Sequence, residues 1–318
     1  MASNLSRRRF LFLGSAALAG GAISAQSSNP TLKFLRERAA ELAKPCFQTK
    51  HKPAPASWDN NKITASFLGH ATVLINFEGL NIITDPVLYS RIGARSIFGT
   101  IGPIRRQACA LKATELPKID LVLLSHAHLD HLDFRSLNAL PGSVQAVSAK
   151  NTSDLLAQTR IGKTTELGWG EKTIVKGENG DAEVTAFEVK HWGARWRHDG
   201  HRGYNGYIVS RNGKKIIFGG DTAQTDGFKG IRSQRPYEFA VMPIGAYNPF
   251  IWSHCNPEQA LEMANDAGAK YVLPMHYYTF RFGREIATEP IERLETALKG
   301  ETERLGWRAA GETFVLNA

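Results

Sequence analysis

The sequence predicts one large α/β domain, and three observations carry that prediction. Several apolar runs have the length and β-branched content of buried strands, and four of them are followed at once by histidine or aspartate. The later chain alternates such runs with helix-like segments over 257–267 and 289–298, the order of an α/β rather than an all-β fold. The 318 residues, 42% hydrophobic, suffice for one two-sheet domain with a substantial core, and no second catalytic domain is needed.

Taken in order, the chain opens on Ser6-Arg7-Arg8-Arg9-Phe10-Leu11, a moderately apolar stretch over 12–22, and small residues around Ser24 and Ala25. These are the parts of a twin-arginine export signal, so residues 1–25 are expected to be a signal peptide and the mature protein periplasmic or otherwise exported. The alternative is an uncleaved N-terminus that anchors the protein to a membrane. The apolar core is too short for an ordinary span, and no later stretch approaches about 20 apolar residues. Residues 26–58 read as an N-terminal helix, opening at Asn29-Pro30 and running from Thr31 through Lys44, followed by a linker at Pro53 and Pro55. The main domain is then 59–318. Formal charge is +9, and removing residues 1–25 with their three arginines leaves the chain basic at +6. That balance favours approach to phosphate-bearing partners or anionic membranes, although a diffuse charge is also an ordinary solvated surface. No nucleic-acid motif or internal repeat is visible.

Within the main domain, the strand Leu80–Thr84 ends on Asp85 and Ile119–Leu124 runs into Ser125-His126-Ala127-His128-Leu129-Asp130-His131-Leu132-Asp133. In extended chain, residues two apart point the same way, so His126, His128 and Asp130 converge, and His131 joins if the chain turns. Ligands in α/β sheets gather at the carboxyl ends of strands. A solvated polar loop is the bland reading; three imidazoles and a carboxylate after a buried strand favour a metal centre. The segments 182–190, 215–220 and 270–275 then lead into His191, Asp221 and His276. Asp85 is the leading candidate to accept an imidazole N–H behind the ligands; its alternative is a turn residue before Pro86. His70, after a glycine between two apolar strands, reads equally as a residue facing the site or a hydrogen-bonded core histidine. Asp133 reads as a cap for a helix over 134–140 or as a support for the ligands.

At these residues the sequence resembles the metallo-β-lactamase superfamily. The resemblance implies an αββα sandwich with a dinuclear metal site at one edge. His126, His128 and His191 would hold one metal, Asp130, His131 and His276 the other, with Asp221 bridging. Zinc is the usual metal, and iron or manganese suits the same nitrogen and oxygen donors. The segments Phe67-Leu68-Gly69-His70-Ala71-Thr72, Thr84-Asp85-Pro86, Gly220-Asp221-Thr222, Pro243-Ile244-Gly245-Ala246-Tyr247 and His254-Cys255-Asn256-Pro257-Glu258 narrow it. They are similar to the branch holding N-acylphosphatidylethanolamine-hydrolysing phospholipase D, to which L-ascorbate-6-phosphate lactonase-like hydrolases are related. The resemblance runs from about Ile63 to the C-terminus.

Two zinc ions lower the pKa of bound water towards neutrality and stabilise charge on a leaving oxygen, so no serine or cysteine nucleophile is required. The expected function is therefore an exported dinuclear zinc hydrolase, a phosphodiesterase of phospholipase D-like type using metal-bound hydroxide. A lactonase or carboxylic-ester hydrolase is the alternative, and a metal-bearing binding protein without turnover is the third reading. Asp130 and His254 are the candidate catalytic residues. Tyr247 and Trp252, in the aromatic stretch 247–254, are candidates to line an acyl or aromatic pocket, or else to pack their loop. Arg195, with Arg197, His198, His201 and Arg202, is a candidate clamp for phosphate or carboxylate, or else a solvated hairpin tip. The expected partner is a small-molecule or phospholipid substrate, with peripheral membrane contact and no nucleic acid. Cys46, Cys109 and Cys255 make no disulfide framework and read most simply as free thiols.

Overall fold

Alternation along the strands sorts the apolar side chains onto two faces. In β1 (Ile63–Gly69) and β2 (Thr72–Phe77), Ala65, Phe67, Val73 and Ile75 enter the main core, while Leu68 and Leu74 enter a second one. The protein's structure is a computed structural model that describes residues 46–96, 99–140, 144–196 and 198–316. The expected export signal and the helix over 31–44 lie outside them.

The first sheet has the order β15-β1-β2-β3-β6-β7-β8, with β3 (Leu80–Thr84), β6 (Leu121–Leu124), β7 (Gln145–Ala149), β8 (Lys163–Leu167) and β15 (Thr313–Val315). Between β3 and β6 a small hairpin pairs β4 (Ala94–Ser96) with β5 (Gly99–Ile101). The second sheet has the order β14-β13-β12-β11-β10-β9. Its strands are β9 (Lys172–Val175), β10 (Ala182–Phe187), β11 (Gly206–Arg211), β12 (Lys214–Phe218), β13 (Tyr237–Pro243) and β14 (Ala269–Met275). The main core lies between the sheets, where Leu121 and Leu123 join Val184, Val209 and Ile217. On the outer face of the first sheet, Val122 and Leu124 meet Leu137 of α1 (Phe134–Ala139) and Leu155 and Leu156 of α2 (Ser153–Leu156). Two longer helices, α5 (Pro257–Ala267) and α6 (Glu289–Ala297), follow the short α3 (Gly227–Gly230) and α4 (Tyr247–Phe250). Helices flanking two packed sheets make the αββα sandwich.

The topology is what gathers the site. Strand β6 lies parallel to both β3 and β7, and β13 parallel to both β12 and β14. Their carboxyl ends therefore open in common directions, as the strand-end rule requires. The expected strands and helices fall within a few residues of the observed ones, and α5 starts as expected: Asn256 accepts from the backbone N–H of Gln259 at 2.9 Å. Asp133 is the cap of α1, accepting from Ser136 N–H at 2.9 Å.

The expected linker differs. Phe47 N–H donates to the Arg106 carbonyl at 2.7 Å and the Phe47 carbonyl accepts from Ala108 N–H at 2.8 Å, so the chain is already laid on the body there. Pro53 is buried and Trp58 packs on the outer core; these contacts hold 47–58 as part of the main domain. The three cysteines are free thiols. No described helix is long and apolar enough to cross a membrane.

Candidate metal centre

Backbone geometry at the strand ends brings the predicted ligands together. After β6, the N–H groups of His131 and Leu132 both bond to the His128 carbonyl, at 3.1 and 2.9 Å. This turn swings His131 back beside His126 and His128. Gly220, with φ of 59°, precedes Asp221, and a Cβ there would lie 2.7 Å from Ser125 Cβ. Only glycine lets the Asp221 segment approach the β6 loop so closely. Three site residues that do have a Cβ also sit at positive φ: His70 at 62°, Asp85 at 32° and His276 at 62°. Backbone strain of this kind collects where the surrounding fold over-determines a functional position.

Two groups of donors result. In the first, His126 Nε2 and His191 Nε2 lie 2.7 and 3.3 Å from His128 Nδ1. Three imidazoles thus aim ring nitrogens at one point. In the second, Asp130 Oδ2 lies 2.9 Å from His70 Nε2, 3.4 Å from His131 Nε2 and 3.5 Å from His276 Nε2. Asp221 Oδ2 stands between the groups, 3.2 Å from His131 Nε2, 3.1 Å from His276 Nε2 and 3.9 Å from His191 Nε2. His254 Nε2 reaches the same oxygen at 3.3 Å.

The far nitrogens of His126, His131 and His191 are held by the surrounding shell. The fully buried Asp85 accepts from His131 Nδ1–H at 2.6 Å and from the backbone N–H and hydroxyl of Ser125 at 2.8 and 2.5 Å. Ser125 Oγ in turn takes His126 Nδ1–H at 2.8 Å. One carboxylate thereby orients histidines of both groups. His191 Nδ1–H donates to the Ser253 carbonyl at 2.7 Å. His70 Nε2–H donates to Asp130, so His70 faces the site and takes part in one of its donor groups.

Electrostatics divides the groups. Burial, reinforced by neighbouring imidazoles, holds His126 far below the ordinary histidine range. Burial likewise lowers His128 to about 4 and His191 to about 3. These three are neutral, the form that offers lone pairs to a metal. His131 and His276 go the other way: burial opposes their charge, but Asp221 and Asp130 outweigh it, raising His276 to about 9 and His131 well above the usual range. For Asp130 and Asp221, burial pushes upward and the same histidines pull both carboxyls well below the carboxylate range. In the metal-free protein those two protons balance the two buried carboxylates, which is the charge a divalent ion would supply.

The residues fit a metal pair on the structure's own terms. Among the described residues, His131 Nε2, His276 Nε2 and Asp221 Oδ1 are buried without a hydrogen-bond partner, although buried polar atoms are rarely left so. The two imidazole nitrogens face Asp221 Oδ2 between the two groups, and nitrogen and oxygen donors match zinc, iron or manganese.

The site opens into a cavity of about 210 Å³ whose floor includes His128, Asp130, Asp221 and His276 and whose walls include Trp192, Phe250, Trp252, His254 and Phe282. Trp252 is thus where the sequence suggests. Tyr247 and Arg195 are not among the lining residues, which corrects both as substrate contacts. Tyr247 is buried and its hydroxyl donates to Glu289 at 2.8 Å, so it packs its loop. Arg195 Nη1 donates to the carbonyls of Ala127 and Leu132 at 3.1 and 2.8 Å and the guanidinium lies over Phe134; both hydrogen bonds brace the loop after β6. Arg202 is spent on Asp154 and Asp199. Arg197 lies outside the described residues. Sequence reading missed Ser125 and Ser253 as orienting groups, and Trp192 and Phe282 as walls. Trp192 had a signal, since it follows His191 directly, and its ring meets His128 edge-on at 4.6 Å.

This combination of paired-sheet sandwich, strand-end histidines and shared aspartates defines a metal-dependent hydrolase, and comparison with known proteins gives the family. The chain belongs to the beta-lactamase superfamily, whose domain model matches residues 80–277. An uncharacterized protein of Mycobacterium tuberculosis is 30% identical over 76% of this chain and 66% of its own length. The N-acyl-phosphatidylethanolamine-hydrolyzing phospholipase D 1 of Caenorhabditis elegans is 32% identical over 73% of this chain and 68% of its own. The chain thus spans about two thirds of the length of these curated relatives. Among solved structures, the isothiocyanate hydrolase from Delia radicum gut bacteria shares the fold, with a TM-score of 0.63, 17% identity, and coverage of 80% of this chain and 100% of that one.

Proposed function

We propose that this protein is a dinuclear zinc phosphodiesterase of phospholipase D type, acting after export on a diester that carries an apolar arm. The observation that carries this reading is the lining of the cavity. Four aromatic residues wall it, and no lysine or arginine is among its described lining residues. A sugar phosphate or nucleic acid, with several charges to hold, finds no lysine or arginine side chain there. An acylated phosphodiester has a single phosphoryl charge and an apolar arm. The phospholipase D name of the nematode relative supports the same reaction class.

In this reading His126, His128 and His191 hold one ion, Asp130, His131 and His276 the other, and Asp221 lies between them. Ions bound there supply Lewis acidity, an activated water and charge stabilisation. The remaining work falls to the chain. Asp130, on the cavity floor, is placed to accept a proton from the attacking water, and His70 orients it. His254 Nε2, on the wall beside Asp221, is placed to hand a proton to the leaving oxygen. The aromatic walls bind the apolar arm and exclude water. Trp192, Ile251 and Trp252, 48%, 45% and 61% exposed, form or adjoin the mouth, an arrangement suited to peripheral contact with a lipid surface.

Turnover in heavy-oxygen water tests the reaction. Label in the phosphate product of an acylated phosphodiester supports the proposal; label only in carboxylate, with no diester cleaved at any metal loading, transfers the enzyme to the lactonase or ester class. Trp252→Ala should lower kcat/KM for acylated diesters by roughly tenfold relative to short ones, about 1.4 kcal/mol of apolar contact. The export half is tested by Arg7→Lys with Arg8→Lys and cell fractionation: an undiminished periplasmic band overturns it.

A further inference from the structure

Three of the proposed histidine ligands pass their far N–H to an acceptor: His126 to Ser125, His131 to Asp85 and His191 to Ser253. His276 has the same need. With Nε2 turned to Asp221 and Asp130, at 3.1 and 3.5 Å, its Nδ1 is buried and has no partner among the described residues.

A second, smaller cavity adjoins the same ring. Its lining includes His276, Ala246, Phe282, Gly283 and Glu285. Glu285 carries a complementary orphan. Its Oε1 accepts the Ala246 N–H at 2.6 Å, while its buried Oε2 has no partner among the described residues. The carboxylate lies against Gly283, where a Cβ would meet Glu285 Oε2. The segment is fastened beside this point, because Arg284 N–H donates to the Asn248 carbonyl at 2.7 Å. The cavity measures about 20 Å³, and roughly 10–15 Å³ is enough for one water if polar partners face it. Two residues, one with a buried unsatisfied ring nitrogen and one with a buried unsatisfied carboxylate oxygen, thus line a space sized for one water.

We propose that Glu285 is a positioning residue of the metal centre. A buried water accepts the His276 Nδ1–H and donates to Glu285 Oε2, which fixes the ring so that the Nε2 lone pair points at the second metal. This is the role Asp85 plays directly for His131, carried out here through one water. It also ties the loop after β14 to Ala246, in the loop after β13. The inference rests on the reading of His276 as a ligand.

The test is Glu285→Gln in the full chain. Held by the Ala246 N–H, the amide oxygen replaces Oε1 and the NH₂ replaces Oε2, so the water loses its acceptor while the loop contact stays. Stepwise Zn²⁺ titration with a competing chelator should show the second equivalent bound about 10–100-fold more weakly, with the first unchanged. The melting midpoint of the metal-free protein should not move, and the visible spectrum of the Co²⁺-loaded protein should change. Wild-type binding of both equivalents, equal weakening of both, or a lowered metal-free midpoint overturns the proposal, the last two marking a merely structural residue. His276→Ala separates the two levels. If it retains both equivalents, His276 is not a ligand and the underlying reading fails; if it loses one while Glu285→Gln loses none, only the Glu285 role fails.

Discussion

Asp85 shows how much a single side chain outside the ligand set can control. Its oxygens hold His131 directly and His126 through Ser125, so replacing it disturbs both donor groups at once. Asp85→Asn, with one acceptor oxygen fewer, should weaken metal binding by about 10–100-fold at both positions, as measured by competition titration. Protonation at the ligands gives a second expectation at this scale. His276, raised to about 9, carries a proton at neutral pH that an incoming ion must displace. Metal affinity should therefore rise as pH goes from 6 to 8, and calorimetry in buffers of different ionisation enthalpy should detect the released proton. In the metal-free protein the sign is opposite for stability. A raised histidine stabilises fully below its ordinary value of 6.5 and loses that contribution as pH climbs through about 9. Melting midpoints without metal should accordingly fall between those limits.

Among the elements, α5 has the clearest local instructions. Asn256 and Gln259 bond reciprocally across its first turn, Pro257 opens it, and Gly268 closes it with φ of 84°. Asn256→Ala should cost about 1 kcal/mol, read by denaturant unfolding, with both metals still bound because the cap touches no ligand. α1 is likewise legible: Asp133 was open between a cap and a ligand support, and the Ser136 N–H decides for the cap. The aromatic stretch 247–254 was harder to read. Spacing placed Tyr247 and Trp252 together, but the short α4 turns Tyr247 inward to Glu289 and leaves Trp252 on the cavity wall. No periodicity spans so short a helix, so local sequence carries no signal for which way each ring faces.

At the level of the whole molecule, the two sheets contribute separate candidate ligands to one cluster. His126, His128, Asp130 and His131 follow β6 of the first sheet, whereas His191, Asp221 and His276 follow β10, β12 and β14 of the second. In the proposed dinuclear reading, each ion bound between them would favour only the assembled sandwich. Removing metal with a chelator should lower the melting midpoint by several degrees, and stoichiometric Zn²⁺ should restore it. If the two states melt together, the centre contributes nothing to holding the sheets.

The fold class and the histidines and aspartates that gather at the strand ends were readable from the sequence because both depend on local pattern. Strand-length apolar runs announce buried β-structure, and His126 through His131 follow one of them without interruption. His70 stayed undecided, since a glycine and two flanking strands say nothing about which cavity a ring faces. Tertiary packing decided it, through the 2.9 Å contact with Asp130. The same holds for Arg195, whose charge suggested an anion clamp until two backbone carbonyls claimed its guanidinium. Side-chain partners distant in sequence, such as Asp85 and His131, leave no periodic trace in the chain. Sequence pattern reports whether a residue is buried and on which local face; only the closing of two sheets determines which atoms it meets.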